Sequence, residues 1–443
     1  MIHLVPILST AVIEVLVLRR LRFGWFIVAL VLAGLLVDAS YLAYTPITKR
    51  SYDGASHVFY IDFLIEHLRL PPLGILCTTC GHPPLYYALA ALWSKVVLAG
   101  GWIPHGLGLQ WLSLLLSGGF VVFALLLLRS FIERPAILRL AAALVVFWPS
   151  GILNSVRVHN DALASPLMLA AMYFIARWDR GGRQRDFGCA LGACALALLT
   201  KATGYALAVT LLLMAALRCW SPSLRRDSIR LGVVATVVLL GSALLPLAFR
   251  GSEAPPTLCQ RVLGGACYVP SGAFVSNQPI NYLYFDVPGF LRDTSSMNYP
   301  PKQDYFWNGL AKSSLFGVMP LGKDFEGVRY DRLAIVMSVL LLVMVAVCIA
   351  ALAFSRSVRW QDYRTIVIAS ASMLALLVAF RIVLPTPFHE DFRHIFPVLV
   401  PFCLLFGKSV ERTGRWSLAF SWAAIGVGLL LIASSVVFFV RIP

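Results

Sequence analysis

Apolar runs of roughly 17 to 25 residues, the length that carries a helix across about 30 Å of hydrocarbon, recur along nearly the whole chain between short polar stretches. In lipid the backbone must satisfy its own hydrogen bonds, so such runs predict helices. Crossings are expected at about Phe23–Tyr44, Leu107–Leu128, Leu140–Leu153, Ala162–Ala176, Leu231–Leu247, Leu333–Phe354, Thr365–Leu384, Ile395–Gly407 and Ser417–Val440. The stretch Phe187–Leu217 lies between two basic loops and must cross an even number of times, as two short legs with Lys201 near their apex. That makes eleven crossings from Phe23 onward. Residues 2–18 are also apolar and end at arginines; they form a possible twelfth, and a signal peptide is not expected because the charges follow the apolar stretch. The run His82–Ala99 cannot cross without inverting every later basic loop up to Phe187, so it is expected to lie in the outer leaflet.

Composition agrees with this picture. Of 443 residues 59% are hydrophobic and 13% charged, and a soluble domain carries about twice that charged share. Disordered, collagen-like, coiled-coil and disulfide mini-protein classes are excluded. The formal net charge of +16 would suggest nucleic acid until its distribution is read. Twenty of the 37 basic residues sit in six short loops, those of Arg19, Arg129, Arg177, Arg218, Arg356 and Lys408, with only six acids among them. The remaining 17 basic residues nearly balance 15 acidic ones. Short loops rich in Arg and Lys stay on the cytoplasmic side. The charge therefore reports topology, and it places residues 46–106, the turn 154–161, an outer loop of about 250–331 and the C-terminus outside.

Candidate chemistry gathers on that outer side. Asp53 and His57 share a face if a helix begins near Ser51; Asp53 is then either a general base or a helix-start acid favouring the macrodipole. His82-Pro83-Pro84-Leu85-Tyr86-Tyr87 reads by itself as a helix start, and Asn160-Asp161 as ordinary caps. His389-Glu390-Asp391-Phe392-Arg393-His394 carries more charge than a turn requires, and charge beside lipid is costly unless used.

The ordered set resembles the GT-C glycosyltransferases: Asp53 after the first main helix, then His82-Pro-Pro-Leu-Tyr-Tyr87, Asn160-Asp-Ala-Leu-Ala164, Leu199-Thr-Lys-Ala-Thr-Gly204 and Asp391-Phe-Arg-His-Ile-Phe-Pro397. It is most similar to the protein O-mannosyltransferase and aminoarabinose-transferase type, over about residues 24 to 400. The resemblance implies an all-α polytopic membrane protein with about 11 to 12 transmembrane helices, outer juxtamembrane helices and a large outer loop. Its parts would be an N-terminal apolar segment (1–22), a transmembrane module (23–250) holding the catalytic first outer loop 46–106, an outer loop acting as acceptor platform (251–331), and C-terminal transmembrane helices (332–443). The sequence departs from the family where a second acid often follows the first: here Gly54 follows Asp53. Gln110 stands near a common Arg, and Arg393-His394 replaces the usual Arg-Tyr.

The implied reaction moves a sugar from a polyprenyl-phosphate carrier to an acceptor hydroxyl in the cell envelope, with inversion. Asp53 would be the general base. Lys201, Arg393 and Arg157 would stabilise the leaving lipid phosphate, Lys201 having snorkelling to the interface as its plainer reading. His57, His82, Asn160, Asp161, His389, Glu390 and Asp391 would orient the base or the sugar. Tyr305 and Trp307 would face the acceptor, or else belong to an interfacial aromatic belt. No cofactor is expected; the acids and histidines could furnish a divalent site, which is not favoured. Nucleic acid is not an expected partner.

Four of nine cysteines lie on the outer side, where an oxidising compartment permits Cys259–Cys267 and Cys77–Cys80 disulfides. The absence of any Asn-x-Ser/Thr site fits a bacterial protein, whose expected place is the inner membrane with the site facing the periplasm. Two other readings compete. A transporter or flippase would place charges in the middle of crossings, where only Asp38 and Arg381 lie. A polysaccharide polymerase or ligase would use a polyprenyl-diphosphate donor.

Overall fold

The computed structural model describes residues 4–47, 53–72, 77, 79–101, 103–220, 225–248, 275–292, 305–317, 328–353, 360–413 and 417–441. Its elements are helices throughout. They are α1 (Leu4–Arg20), α2 (Trp25–Tyr44), α3 (Gly54–His67), α4 (Leu85–Ala99), α5 (His105–Phe131), α6 (Pro135–Val146), α7 (Pro149–Ser155), α8 (Asp161–Gly181), α9 (Gln184–Leu198) and α10 (Tyr205–Arg218). Then follow α11 (Arg225–Ala248), α12 (Phe306–Phe316), α13 (Val328–Ala353), α14 (Trp360–Val383), α15 (Leu399–Thr413) and α16 (Leu418–Arg441).

Among the described residues seven helices are long and apolar enough to cross a membrane, and α6 with α7 makes an eighth if that bent pair is one span. The bend is 51° and follows from Pro149, which cannot donate to the preceding turn and so restarts the helix after Phe147-Trp148. Lys201 lies at the break between α9 and α10, as the two-leg expectation required. Helix α4 is a short apolar helix. It packs against α3 and α5, with Trp93 donating to the Gly108 carbonyl at 2.8 Å. It starts beside the Lys201 break, where Leu85 N–H donates to the Leu199 carbonyl at 2.9 Å.

The basic loops all meet at one end of the bundle. Arg129 donates to the Leu21 carbonyl (2.9 Å) and Arg180 to the Ser130 carbonyl (2.8 Å). Arg218 donates to the Trp178 and Asp179 carbonyls (3.1 and 3.0 Å) in the last turn of α8. Arg364 Nε donates to Asp179 Oδ2 (2.9 Å), and Arg134 pairs with Glu411 (3.0 Å). One contact or another thus links all six loops whose charge predicts a common side. The Cys77–Cys80 disulfide is present; Cys259 and Cys267 lie outside the described residues.

The described part of the segment expected to form the outer loop braces the bundle. In α12 the Ser313 hydroxyl donates to the Glu390 carbonyl (3.1 Å) and accepts from Phe392 N–H (2.9 Å). Trp148, at the α6–α7 bend, donates to the Ser314 carbonyl at 2.6 Å. These bonds hold two tight 3-10 stretches, Pro387–Glu390 and Phe392–Val398, against the bundle, with a kink at Ile395 (φ −125°, ψ 26°).

Candidate active site

At the end opposite the basic loops, residues far apart in sequence converge. Asp53 immediately precedes α3 and its side chain caps nothing. Instead both its oxygens accept from Arg393: Nη1 to Oδ1 at 3.2 Å and Nη2 to Oδ2 at 3.0 Å. A bidentate guanidinium–carboxylate pair is the strong, directional form of this contact. His57, one turn into α3, places Nε2 at 3.5 Å from Asp53 Oδ2, and its Nδ1 meets the Tyr87 hydroxyl at 2.9 Å. The helix begins at Gly54, three residues later than expected, but the i,i+4 relation of Asp53 and His57 survives because His57 N–H already bonds the Asp53 carbonyl (3.2 Å).

A second ion pair lies nearby. Lys201 Nζ donates to both oxygens of Asp161 at 2.5 and 2.6 Å and contacts His394 Nδ1 at 2.9 Å. Both partners are buried, at 8% and 5% side-chain exposure, so neither charge reaches water and snorkelling is not what Lys201 does. Asn160 likewise makes no cap; its amide donates to the Thr200 carbonyl (3.3 Å), tying the α8 start to the Lys201 turn. Asp391 accepts from the Arg393 backbone N–H at 3.0 Å, and its Oδ2 stands 2.8 Å from Arg393 Nε as an ion contact without hydrogen-bond alignment. Arg157 reaches Asn154 Oδ1 at 3.5 Å.

Burial pushes the Asp53 carboxyl up, yet the charges of Arg393 and His57 outweigh it and hold it well below the usual carboxylate range. Burial pushes His82 down to about 3 and His159 down to about 4, so both are neutral at physiological pH. Burial also lowers Lys201, against the opposing pull of Asp161. A pocket beside the two ion pairs is lined by Ser113, Ser117, Asn154, His159, Asp161 and Arg393, among others. Among the described residues no three His, Cys, Asp or Glu side chains converge as metal ligands would.

The structure brings together Asp53, His57, His82, Arg157, Asn160, Asp161, Lys201, Asp391 and Arg393. It does not bring in His389, whose Nδ1 is taken by Thr386 and the Leu384 carbonyl (both 2.8 Å), or Glu390, which pairs with fully buried Arg381 (2.7 Å). Those two lock the turn before Asp391. Tyr305 and Trp307 also stand apart. Trp307 donates to the Tyr282 carbonyl (2.7 Å) and Tyr305 packs edge-on against Tyr284, with no hydrogen bond or ring contact to Asp53 among the described residues. Three contributors were not singled out from sequence. His394 and Tyr87 lay within quoted motifs, and His159 approaches Asp161 (Nδ1–Oδ2, 3.5 Å) with both ring nitrogens lacking a hydrogen bond.

No family model and no curated protein matches this chain. Solved structures do. ArnT from Cupriavidus metallidurans bound to undecaprenyl phosphate is similar with a TM-score of 0.52 at 14% identity, over 94% of this chain and 77% of that one. The Archaeoglobus fulgidus oligosaccharyltransferase in complex with Zn and sulfate is similar with a TM-score of 0.51 at 14% identity, over 92% of this chain and 53% of that one. The chain thus spans about half the length of the oligosaccharyltransferase. The likeness is one of fold.

Proposed function

We propose that the chain is a glycosyltransferase that moves a sugar from a polyprenyl-phosphate carrier to an acceptor hydroxyl, with inversion, at the outer face of a bacterial inner membrane. The observation that carries this reading is the convergence of Asp53–Arg393 and Lys201–Asp161 at the end opposite the arginine loops. A carboxylate for the acceptor proton and cations for the leaving phosphate stand in one place, which is what this displacement requires. Asp53 takes the hydroxyl proton as oxygen attacks the anomeric carbon. Arg393, Lys201 and Arg157 receive the charge that builds on the departing phosphate. Positive charge comes in this reading from side chains, with no divalent ion. His82 and His159, both neutral, and Asn160 orient the sugar. The similarity to ArnT bound to undecaprenyl phosphate supports a lipid-phosphate donor.

The test is mass spectrometry of polyprenyl-phosphate lipids in a deletion strain complemented with wild type or Asp53→Asn. A glycosylated carrier that accumulates on deletion and is cleared by wild type alone supports the reading, and its mass names the sugar. Unchanged carriers, or full complementation by Asp53→Asn, sink it.

A further inference from the structure

The general base and the phosphate's cation are, at rest, bonded to each other. Arg393 covers both oxygens of Asp53, so the carboxylate that should accept a proton is occupied by the group that should meet the donor. A base under a bidentate guanidinium is a weak one. The guanidinium also lines the pocket shared with Asp161 and His159, and is 9% exposed. Its stem is held independently: the Arg393 N–H bonds Asp391 Oδ1, and Nε sits 2.8 Å from Asp391 Oδ2 without an aligned hydrogen bond. The two Nη atoms can therefore turn from Asp53 toward the pocket while Nε stays beside Asp391.

We propose that Arg393 is a donor-operated latch on Asp53: the carrier phosphate draws the guanidinium off the carboxylate, and only then does Asp53 accept the acceptor's proton. The inference rests on the transferase reading above. The donor is a phosphodiester, so its single negative charge competes with Asp53 for Arg393. Once Arg393 turns, Asp53 has lost a cation and gained an anionic neighbour, and both changes raise its affinity for a proton. The other groups facing it are His57 on α3, His82 before α4, Arg157, His159 and Asp161 before and at the start of α8, Lys201 held by Asp161, and Asp391 and His394 beside Arg393. The pairing of Lys201 with Asp161 leaves Arg393 as the partner whose departure changes Asp53 most.

In the transfer step the acceptor O–H proton passes to Asp53 and a bond forms between the acceptor oxygen and the anomeric carbon. The bond from that carbon to the phosphate oxygen breaks, and its electron pair leaves with the carrier. The carrier becomes a phosphate monoester with an additional negative charge, so it holds Arg393 until it departs. Asp53 then releases its proton to water and recaptures Arg393. Without a donor the base is covered, so donor binding precedes activation of the acceptor.

The experiment uses the full chain in lipid nanodiscs. Undecaprenyl phosphate is titrated in and its binding followed by intrinsic tryptophan fluorescence. Infrared difference spectra then follow the protonated-carboxyl band against pH with and without the carrier, the band being assigned by its loss in Asp53→Asn. The latch requires the Asp53 midpoint to rise by about one pH unit or more when the carrier is bound. It also requires a higher carrier-free midpoint in Arg393→Gln, with a smaller rise on adding carrier; Arg393→Lys, which keeps the charge but not the fork, gives an intermediate result. Carrier binding with an unchanged wild-type midpoint overturns the latch and leaves the transferase reading standing. Failure of the carrier to bind overturns both.

Discussion

The two ends of the bundle use the same charged groups for opposite purposes. At the basic end, arginines reach backbone carbonyls and aromatic faces close at hand: Arg129 lies 4.3 Å above Phe23 and Arg180 lies 3.7 Å above Phe131. Many such contacts are exposed and overlap in function, so none is indispensable. At the other end the charges pair across long stretches of sequence with little exposure to water, as with Asp53 and Arg393 or Lys201 and Asp161. Redundant, solvated charge sets an orientation; interlocked, largely buried pairs set a chemistry.

The largest expected effect breaks the chemical end. Asp53→Asn should lower the transfer rate by about 10²- to 10⁴-fold, the usual worth of a positioned base, with a thermal melt close to wild type. Activity within tenfold of wild type would remove Asp53 from the reaction. Next, Lys201→Met leaves Asp161 charged and buried and should cost about 3 to 5 kcal/mol of stability. Adding Asp161→Leu should recover most of that loss in the same unfolding measurement. No recovery would mean the pair is not the unit it looks to be.

A smaller effect is one of pH. His159 falls from an ordinary value to about 4 in the folded chain, so between roughly pH 6.5 and 4 the unfolded chain binds the extra proton. Stability is full above that window and falls as pH drops through it, by about 2 kcal/mol at pH 5. His159→Asn should flatten that part of the melting temperature's pH dependence, and an unchanged slope would refute it. The smallest effect belongs to the basic end: Arg134→Ala breaks an exposed pair with Glu411 and should change stability by less than about 1 kcal/mol, with transfer unaffected. A large loss there would dissolve the contrast between the ends.

The topology was legible because its signal is additive. Six arginine-rich loops vote for one side, and the contacts from Leu21 to Arg129, Ser130 to Arg180 and Asp179 to Arg364 show them together. The site was legible in its residue types and order, since Asp53, Asp161, Lys201 and Arg393 sit in the ordered motifs that carry the resemblance, although only the segment of Arg393 exceeds what a turn needs by itself. Partnership was not. Within His389-Glu390-Asp391-Phe392-Arg393-His394, neighbours face different ways on tight turns, so Glu390 goes to Arg381 while Asp391 and Arg393 go to the site. Local sequence carries no mark of which is which. Tyr305 and Trp307 are ambiguous for a related reason: an aromatic beside polar residues reads the same whether it braces a loop or meets a ligand. Glu14 escaped notice altogether; its carboxylate lies so close to Gly118 that a β-carbon there would stand 2.6 Å from it.

The 3-10 stretch Phe392–Val398 runs directly into α15, with no loop to absorb movement. Near its other end α15 carries Glu411, which pairs with Lys408 one turn back and is held by Arg134 of the basic end. It is thus anchored at one tip and leads, through the bend at Ile395, to Arg393 at the other. Inserting one alanine near Leu404 would turn the far tip by about 100°, aiming the guanidinium away from Asp53 although no residue of the site had been altered. Transfer should vanish from such a variant while its helix content, read by circular dichroism, stays as it was.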